Sequence, residues 1–307
     1  MTKIYHKFPS NFKEIKDYIT HDKKKVIDFY FDGDKYFFYD TCSILHHSNS
    51  SKREYIIKYL KKKDATIIIT RTVLMELTSN YFQIHPIQIN FIKELYQSGL
   101  KVLLFDEEFI IDCLKEMLNI TNEEANLLLG YAIKEVNKSK GIIREIVDSM
   151  EKSFRSKILG NNPGNVPLYD EFFQYARSKK KQGDSLAEKL MFICIIVLTR
   201  IPLGKYILLS DDLRIRSNVI SINKYLKDKH KVKEPFQLTT PALIYRMYKD
   251  SIITLRDDML DILSSSFSGN VNVFYVGEYD IEQEYHSFNK EELIDCLINE
   301  KEFRIMY

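Results

Sequence analysis

Residues 36–45 read YFFYDTCSIL. Four aromatic residues run into Asp40 with no helical period. Such a run reads as a strand buried on both faces, as in a parallel sheet. Its C-terminal end then carries an acid. The pattern returns at 205–212, KYILLSDD, where an apolar run ends on Asp211 and Asp212. ATIIIT (65–70) and KVLLF (101–105) read as two more strands, and EPFQLTT (234–240) as a short last one.

Helical stretches separate these strands. SKREYIIKYLKKK (51–63) has apolar residues at helical spacing. TRTVLMELTSNYF (70–82) follows its strand at once, with Thr70 or Thr72 placed as a cap. A helix over 87–98 stops at Gly99, and GDSLAEKLMFICIIVLTRI (183–201) reads as a long buried helix. SNVISINKYLKDK (217–229) reads as helical, and TPALIYRMYKD (240–250) starts a helix at Pro241. The alternation predicts an α/β fold with a doubly wound, mainly parallel central sheet. Residues 106–180 break it with helices only, among them TNEE (121–124), a capping box. They read as a helical insertion. Residues 1–30 read as an N-terminal helical segment, with a helix near 11–20 and a basic turn at HDKKK. Residues 31–250 read as the main domain. Residues 251–307 read as a small α/β extension, with a helix over 253–264, a strand at VNVFYVG and a closing helix at NKEELIDCLINEKEF.

Charge divides along the chain. Residues 251–307 hold four basic against twelve acidic residues, a net of −8, so the first 250 carry +10 of the overall +2. A basic body suits a polyanionic partner. The first residues, MTKIYHKFPSNFKEIK, lack a leader-like apolar stretch, and the longest apolar run, 190–198, is too short to cross a bilayer. The expectation is a cytoplasmic protein without a membrane partner. The four cysteines, Cys42, Cys113, Cys194 and Cys296, are too far apart in sequence for a zinc knuckle or a CxxC pair. Neither GxxxxGK[ST] nor GxGxxG occurs, which argues against a nucleotide-binding loop.

The acids carry the chemistry. Asp40 and the pair Asp211–Asp212 end strands, and the ligand crevice of an open parallel sheet lies beyond those ends. Glu76 and Asp184 lie near the starts of helices that face the same rim. Four carboxylates so gathered repel unless cations sit among them. Hard divalent ions, Mg²⁺ or Mn²⁺, suit oxygen donors and promote phosphodiester hydrolysis. Glu188 lies one turn beyond Asp184 on the same helix face. The plain alternatives are an N-cap for Asp184 and a lysine-paired surface acid for Glu188. The lysine runs 61–63 and 179–181 read as solvated helix ends.

Four motifs in this order resemble the PIN-domain nuclease family. YFFYDTCSIL resembles its opening strand and Asp-Thr-Asn/Ser. TIIITRTVLMELTS (66–79) resembles its strand and Glu-bearing helix. GDSLAEKLMFICIIVL (183–198) resembles its Asp-led buried helix. KYILLSDDLRI (205–215) resembles its strand and Thr-Asn-Asp, and LTTPALIYRM (238–247) resembles its usual ending. The resemblance covers roughly 36–105 and 180–248. It implies a metal-dependent endoribonuclease using Asp40, Glu76, Asp184 and Asp212 for catalysis. The same four, with Glu188 and Asp211, are the implied ligands for Mg²⁺ or Mn²⁺. Cys42 departs from the family's Asn or Ser, and Asp211 from its Asn. Thr41, Ser210, Arg71, Arg214 and Arg216 are candidate contacts for substrate phosphates. Nucleic acid, RNA before DNA, is the expected partner; a second copy of the chain or a regulatory protein stays open. Structure-specific or single-strand DNA cleavage is the first alternative. A degenerate PIN fold that binds RNA or protein without cutting is the second.

Overall fold

Alternate residues of the central strands enter opposite cores. Tyr36, Phe38, Ile68, Leu103 and Leu208 face one core, and Phe37, Tyr39, Ile67, Leu104 and Leu209 the other. The strands are β1 (Lys35–Tyr39), β2 (Thr66–Thr70), β3 (Lys101–Phe105), β4 (Lys205–Leu209) and β5 (Phe236–Leu238). They form a five-stranded sheet in the order β3-β2-β1-β4-β5, parallel throughout. Burial on both sides explains why these strands are continuous apolar runs. The structure is a computed structural model. It describes residues 8–78, 82–137, 141–181, 183–201, 204–213, 215–217, 219–220, 223–224, 235–276, 284–299 and 303–306.

One core is covered by α1 (Lys23–Phe31), by α6 (Ile110–Leu118), α7 (Asn122–Val136), α8 (Ile142–Ser149), α9 (Lys152–Leu159) and α10 (Tyr169–Ser178), and by α11 (Leu186–Leu198). Helix α11 is apolar almost all round and buried over most of its length, as such a helix must be. Residues 106–180 thus join α1 and α11 in one of the sheet's two helical layers. The other core takes α2 (Thr41–Asn49), α3 (Arg53–Lys62), α4 (Arg71–Glu76), α5 (Pro86–Gln97) and α12 (Thr240–Lys249). Thr121 and Glu124 form the expected capping box of α7. Of 217–229, the described residues 217, 219, 220, 223 and 224 are helical.

The acidic extension is joined to this second layer. It comprises α13 (Arg256–Ser266), α14 (Lys290–Asn299) and an antiparallel sheet ordered β7-β6-β8, with β6 (Val271–Val276), β7 (Glu284–Phe288) and β8 (Arg304–Ile305). Met259, Ile262, Val271 and Leu293 sit in the second core. Asp258 pairs with Lys52 at 2.8 Å, and Asp261 accepts from Ser50 at 2.7 Å. Among the described residues no helix is long and apolar enough to cross a membrane.

Three local expectations are corrected. The helix expected near 11–20 is only a 3-10 turn, Phe12–Glu14. Thr20 is extended: its N–H donates to the Val102 carbonyl, and its own carbonyl accepts from Leu104 N–H, both at 2.8 Å. The basic turn HDKKK is instead the start of α1, because Asp22 accepts from Lys25 N–H and caps the helix. The helix expected over 70–82 ends at Glu76, its start capped by Thr70.

Gly204 sits at φ +93° before β4, and a Cβ there would lie 2.3 Å from the Tyr36 ring. Tyr36 in turn stacks on Tyr30 at 4.4 Å and Tyr206 at 5.4 Å. Gly204→Ala combines backbone strain with overpacking, and is expected to cost about 2–4 kcal/mol. Urea denaturation measures it. A loss below about 0.5 kcal/mol would show that the tyrosine stack yields freely.

Candidate active site

The strand order reverses between β1 and β4. In open α/β sheets ligands bind beyond the strand ends at this switch point. Tyr39 pairs with Leu209 there, so the next residues, Asp40 and Ser210, are neighbours. Asp40 is 9% exposed and caps α2, its Oδ1 accepting from Thr41 N–H at 2.8 Å. Its Oδ2 accepts from Ser210 Oγ at 2.9 Å and Cys42 Sγ at 3.0 Å. The Asp212 N–H donates to the same Ser210 hydroxyl at 3.2 Å. Ser210 thus ties both strand-end acids together.

Thr41 carries the site across to β2. Its Oγ1 donates to Glu76 Oε2 at 2.5 Å. Glu76 Oε1 pairs with Lys180 Nζ at 2.6 Å. That ammonium also bonds Asp184 Oδ1 and, at 2.9 Å, the Lys181 carbonyl. Asp184 in turn accepts from the N–H groups of Lys181 at 2.6 Å and Leu186 at 3.0 Å. Three of the four expected acids are therefore linked: Asp40 to Glu76 through Thr41, and Glu76 to Asp184 through Lys180. The fourth, Asp212, joins by charge. Burial raises the Asp40 pKa against three hydrogen bonds, and Asp212 pushes it up further. Burial likewise raises Glu76 against the pull of Lys180 and Thr41, with Asp40 adding to the rise. Both carboxylates lack full compensation for their charge.

The remaining candidates take other places. Asp211 spends both oxygens on structure. Oδ1 accepts from Thr240 N–H at 2.6 Å, and Oδ2 from the Thr240 hydroxyl at 2.8 Å, with His46 Nδ1 at 2.9 Å. It fixes the start of α12 beside buried His47, whose pKa burial lowers to about 4. Glu188 lies 3.7 Å from Lys189 but its side chain is only 13% exposed, so it is not the surface acid of the plain alternative. Arg71 is engaged by Asp106, its Nε donating at 2.7 Å. Arg216 lies over the Phe274 ring, 3.5 Å from its centre. Arg214 lies outside the described residues. Thr41 and Ser210 bind the carboxylates themselves.

Two cations were not anticipated. Lys180 belongs to a run expected to be a solvated helix end, yet it is only 7% exposed. Its i,i+4 spacing to Asp184 was the available signal. Arg177, 2% exposed, donates through Nη1 to Glu107 at 2.6 Å and Glu108 at 2.7 Å, and through Nη2 to Glu108. Glu107 also accepts from the N–H and hydroxyl of Thr72, at 2.9 and 2.7 Å. This network ties α10 to the start of α4, the helix that carries Glu76.

The donor set is of the type that a hard divalent ion takes. It consists of carboxylate oxygens, of which those of Asp40 and Glu76 are desolvated, with Lys180 paired to Glu76. Among the described residues no three Asp, Glu, His or Cys side chains gather around one point, and Lys180 stands between Glu76 and Asp184. No family model, curated protein or solved structure matches this chain.

Proposed function

We propose that the chain is a divalent-metal-dependent nuclease of PIN type, acting on RNA. The observation that carries this reading is the hydrogen-bonded line Asp40–Thr41–Glu76–Lys180–Asp184 at the sheet's switch point. The order of the four motifs and the basic body favour a phosphodiester substrate.

Asp40, Asp212 and Glu76 are the residues that would hold the ion. A bound Mg²⁺ or Mn²⁺ supplies Lewis acidity and a more acidic water. Thr41 and Ser210 keep the carboxylates aimed, since each donates a hydroxyl proton to one acid. Burial of Asp40 strengthens its hold on a cation, because little water competes there. Lys180 offsets charge on the side of Glu76 and Asp184.

One observation favours a second reading. Lys180 neutralises two acids without any metal, which suits a fold that binds RNA and does not cut it. The test is labelled single-stranded RNA, single-stranded DNA and flap DNA with Mn²⁺, Mg²⁺ or EDTA. RNA cleavage is expected with either ion and none with EDTA. Asp40→Asn and Asp212→Asn should each abolish it while circular dichroism stays unchanged. Cleavage that survives either substitution, or EDTA, sinks the site. RNA binding with no cleavage establishes the second reading, and cleavage of DNA alone moves the substrate.

A further inference from the structure

We infer that Lys180 is a built-in counter-cation that restricts this centre to one divalent ion, held on the Asp40 side. The inference rests on the nuclease reading and deepens it. A gathering of four acids at a phosphodiesterase site commonly serves two ions. Here the space between Glu76 and Asp184 is already used. The ammonium lies 2.6 Å from Glu76 Oε1, and it bonds Asp184 Oδ1 together with the backbone carbonyls of Lys181 and Asp184, at 2.9 and 3.2 Å. A hard ion would need carboxylate oxygens at about 2.1 Å around that same point. Ammonium and ion exclude each other there.

The ammonium is also well held. Lys180 is 7% exposed, and it follows α10, which the buried Arg177 anchors to Glu107 and Glu108. Swinging Lys180 out would strip a buried ammonium of two carboxylates and leave Glu76 and Asp184 unpaired, a costly exchange. On the other side, among the described residues, Asp40 accepts from neutral donors: Ser210, Cys42 and the Thr41 amide. Charge therefore assigns the divalent ion to Asp40, which Thr41 links to Glu76, and makes Lys180 a positioning residue for Glu76 and Asp184.

The test counts ions on the intact chain. Mn²⁺ is titrated into the protein, and free ion is read from its electron paramagnetic resonance signal. Wild type is expected to bind one Mn²⁺ per chain. Lys180→Met, of similar length and without charge, should bind two, and Lys180→Met with Asp184→Asn should return to one. Two ions in the wild type would overturn the inference, whatever the variants do. So would a folded Lys180→Met that still binds one. The two proposals fail separately. Two bound ions with Mn²⁺-dependent RNA cleavage remove only this one, whereas no bound ion removes the nuclease reading and this with it. Failure of Lys180→Met to fold leaves the wild-type count decisive.

Discussion

Asp40→Asn is expected to melt above the wild type in EDTA while losing cleavage on the order of a thousandfold. Both effects have one cause. Asp40 is a buried carboxylate whose three donors are neutral. Asn keeps the cap on α2, since Asn and Asp cap about equally well, and the Ser210 hydroxyl can turn to accept. The buried charge is gone. Removing a desolvated functional acid commonly gains about 1 kcal/mol. The lost ion costs several kcal/mol of transition-state stabilisation, hence the rate factor.

The pH dependence follows from the direction of the shifts. Asp40 and Glu76 have raised pKa values in the folded chain. The native state therefore holds its protons to higher pH than the unfolded chain does. Without divalent ions, these two groups make stability fall as pH climbs from the ordinary carboxylate range through their raised values, then level off. Mn²⁺ should reverse the fall in the wild type by binding the ionised form. Asp40→Asn should show a shallower fall and little response to Mn²⁺. Thermal melts at several pH values, with EDTA or Mn²⁺, measure all of this. A variant less stable than wild type at neutral pH in EDTA would refute the uncompensated charge.

Arg177→Met should be the most damaging single change to the fold. Glu107 is fully buried and Glu108 nearly so, and Arg177 reaches both. Removing one partner of a buried ionic network costs about 3–5 kcal/mol, because the others stay buried and charged. For a chain of this size that lowers the melting temperature on the order of 10 °C. Adding Glu107→Gln and Glu108→Gln should recover much of the loss, since the stranded charges go. A drop under about 2 °C for Arg177→Met, or no recovery in the triple variant, would show that the network does not hold α10. The Arg71–Asp106 pair is the internal control, being less buried, with both side chains near 15% exposed.

The sheet was legible because burial on both faces writes a strand as an unbroken apolar run. YFFY, TIIIT, KVLLF and KYILL stand at β1 to β4, and most of their boundaries are marked by Gly, Ser, Thr or an acid. Asp40 and Asp184 were legible, standing at the strand end and helix start expected of them, whereas Glu76, expected near a helix start, is the last residue of α4. The cations were not legible. Lys180 sits in a lysine run, and composition makes such runs look solvated. Only the tertiary placement of α10 distinguishes it from Lys179 and Lys181, which are exposed. The register of the resemblance prefers Asp212 to Asp211; what the sequence does not show is that the Thr240 amide, far along the chain, claims Asp211. β7 escaped because four of its five residues are exposed and lack alternation. The turn HDKKK was misread because three lysines obscure the cap that Asp22 supplies.

The bridge from Lys180 to Glu76 and Asp184 also bears on how the protein matures. Its positive charge is part of the polypeptide, so it arrives with synthesis and at fixed stoichiometry. Small zinc domains must wait for their metal before they fold. Here half of the acidic centre is neutralised as soon as α10 docks, at any cellular Mg²⁺ or Mn²⁺ level. On the proposed reading, scarcity of the ion would silence the centre without sending the chain to proteolysis, and a returning ion would meet a scaffold already assembled.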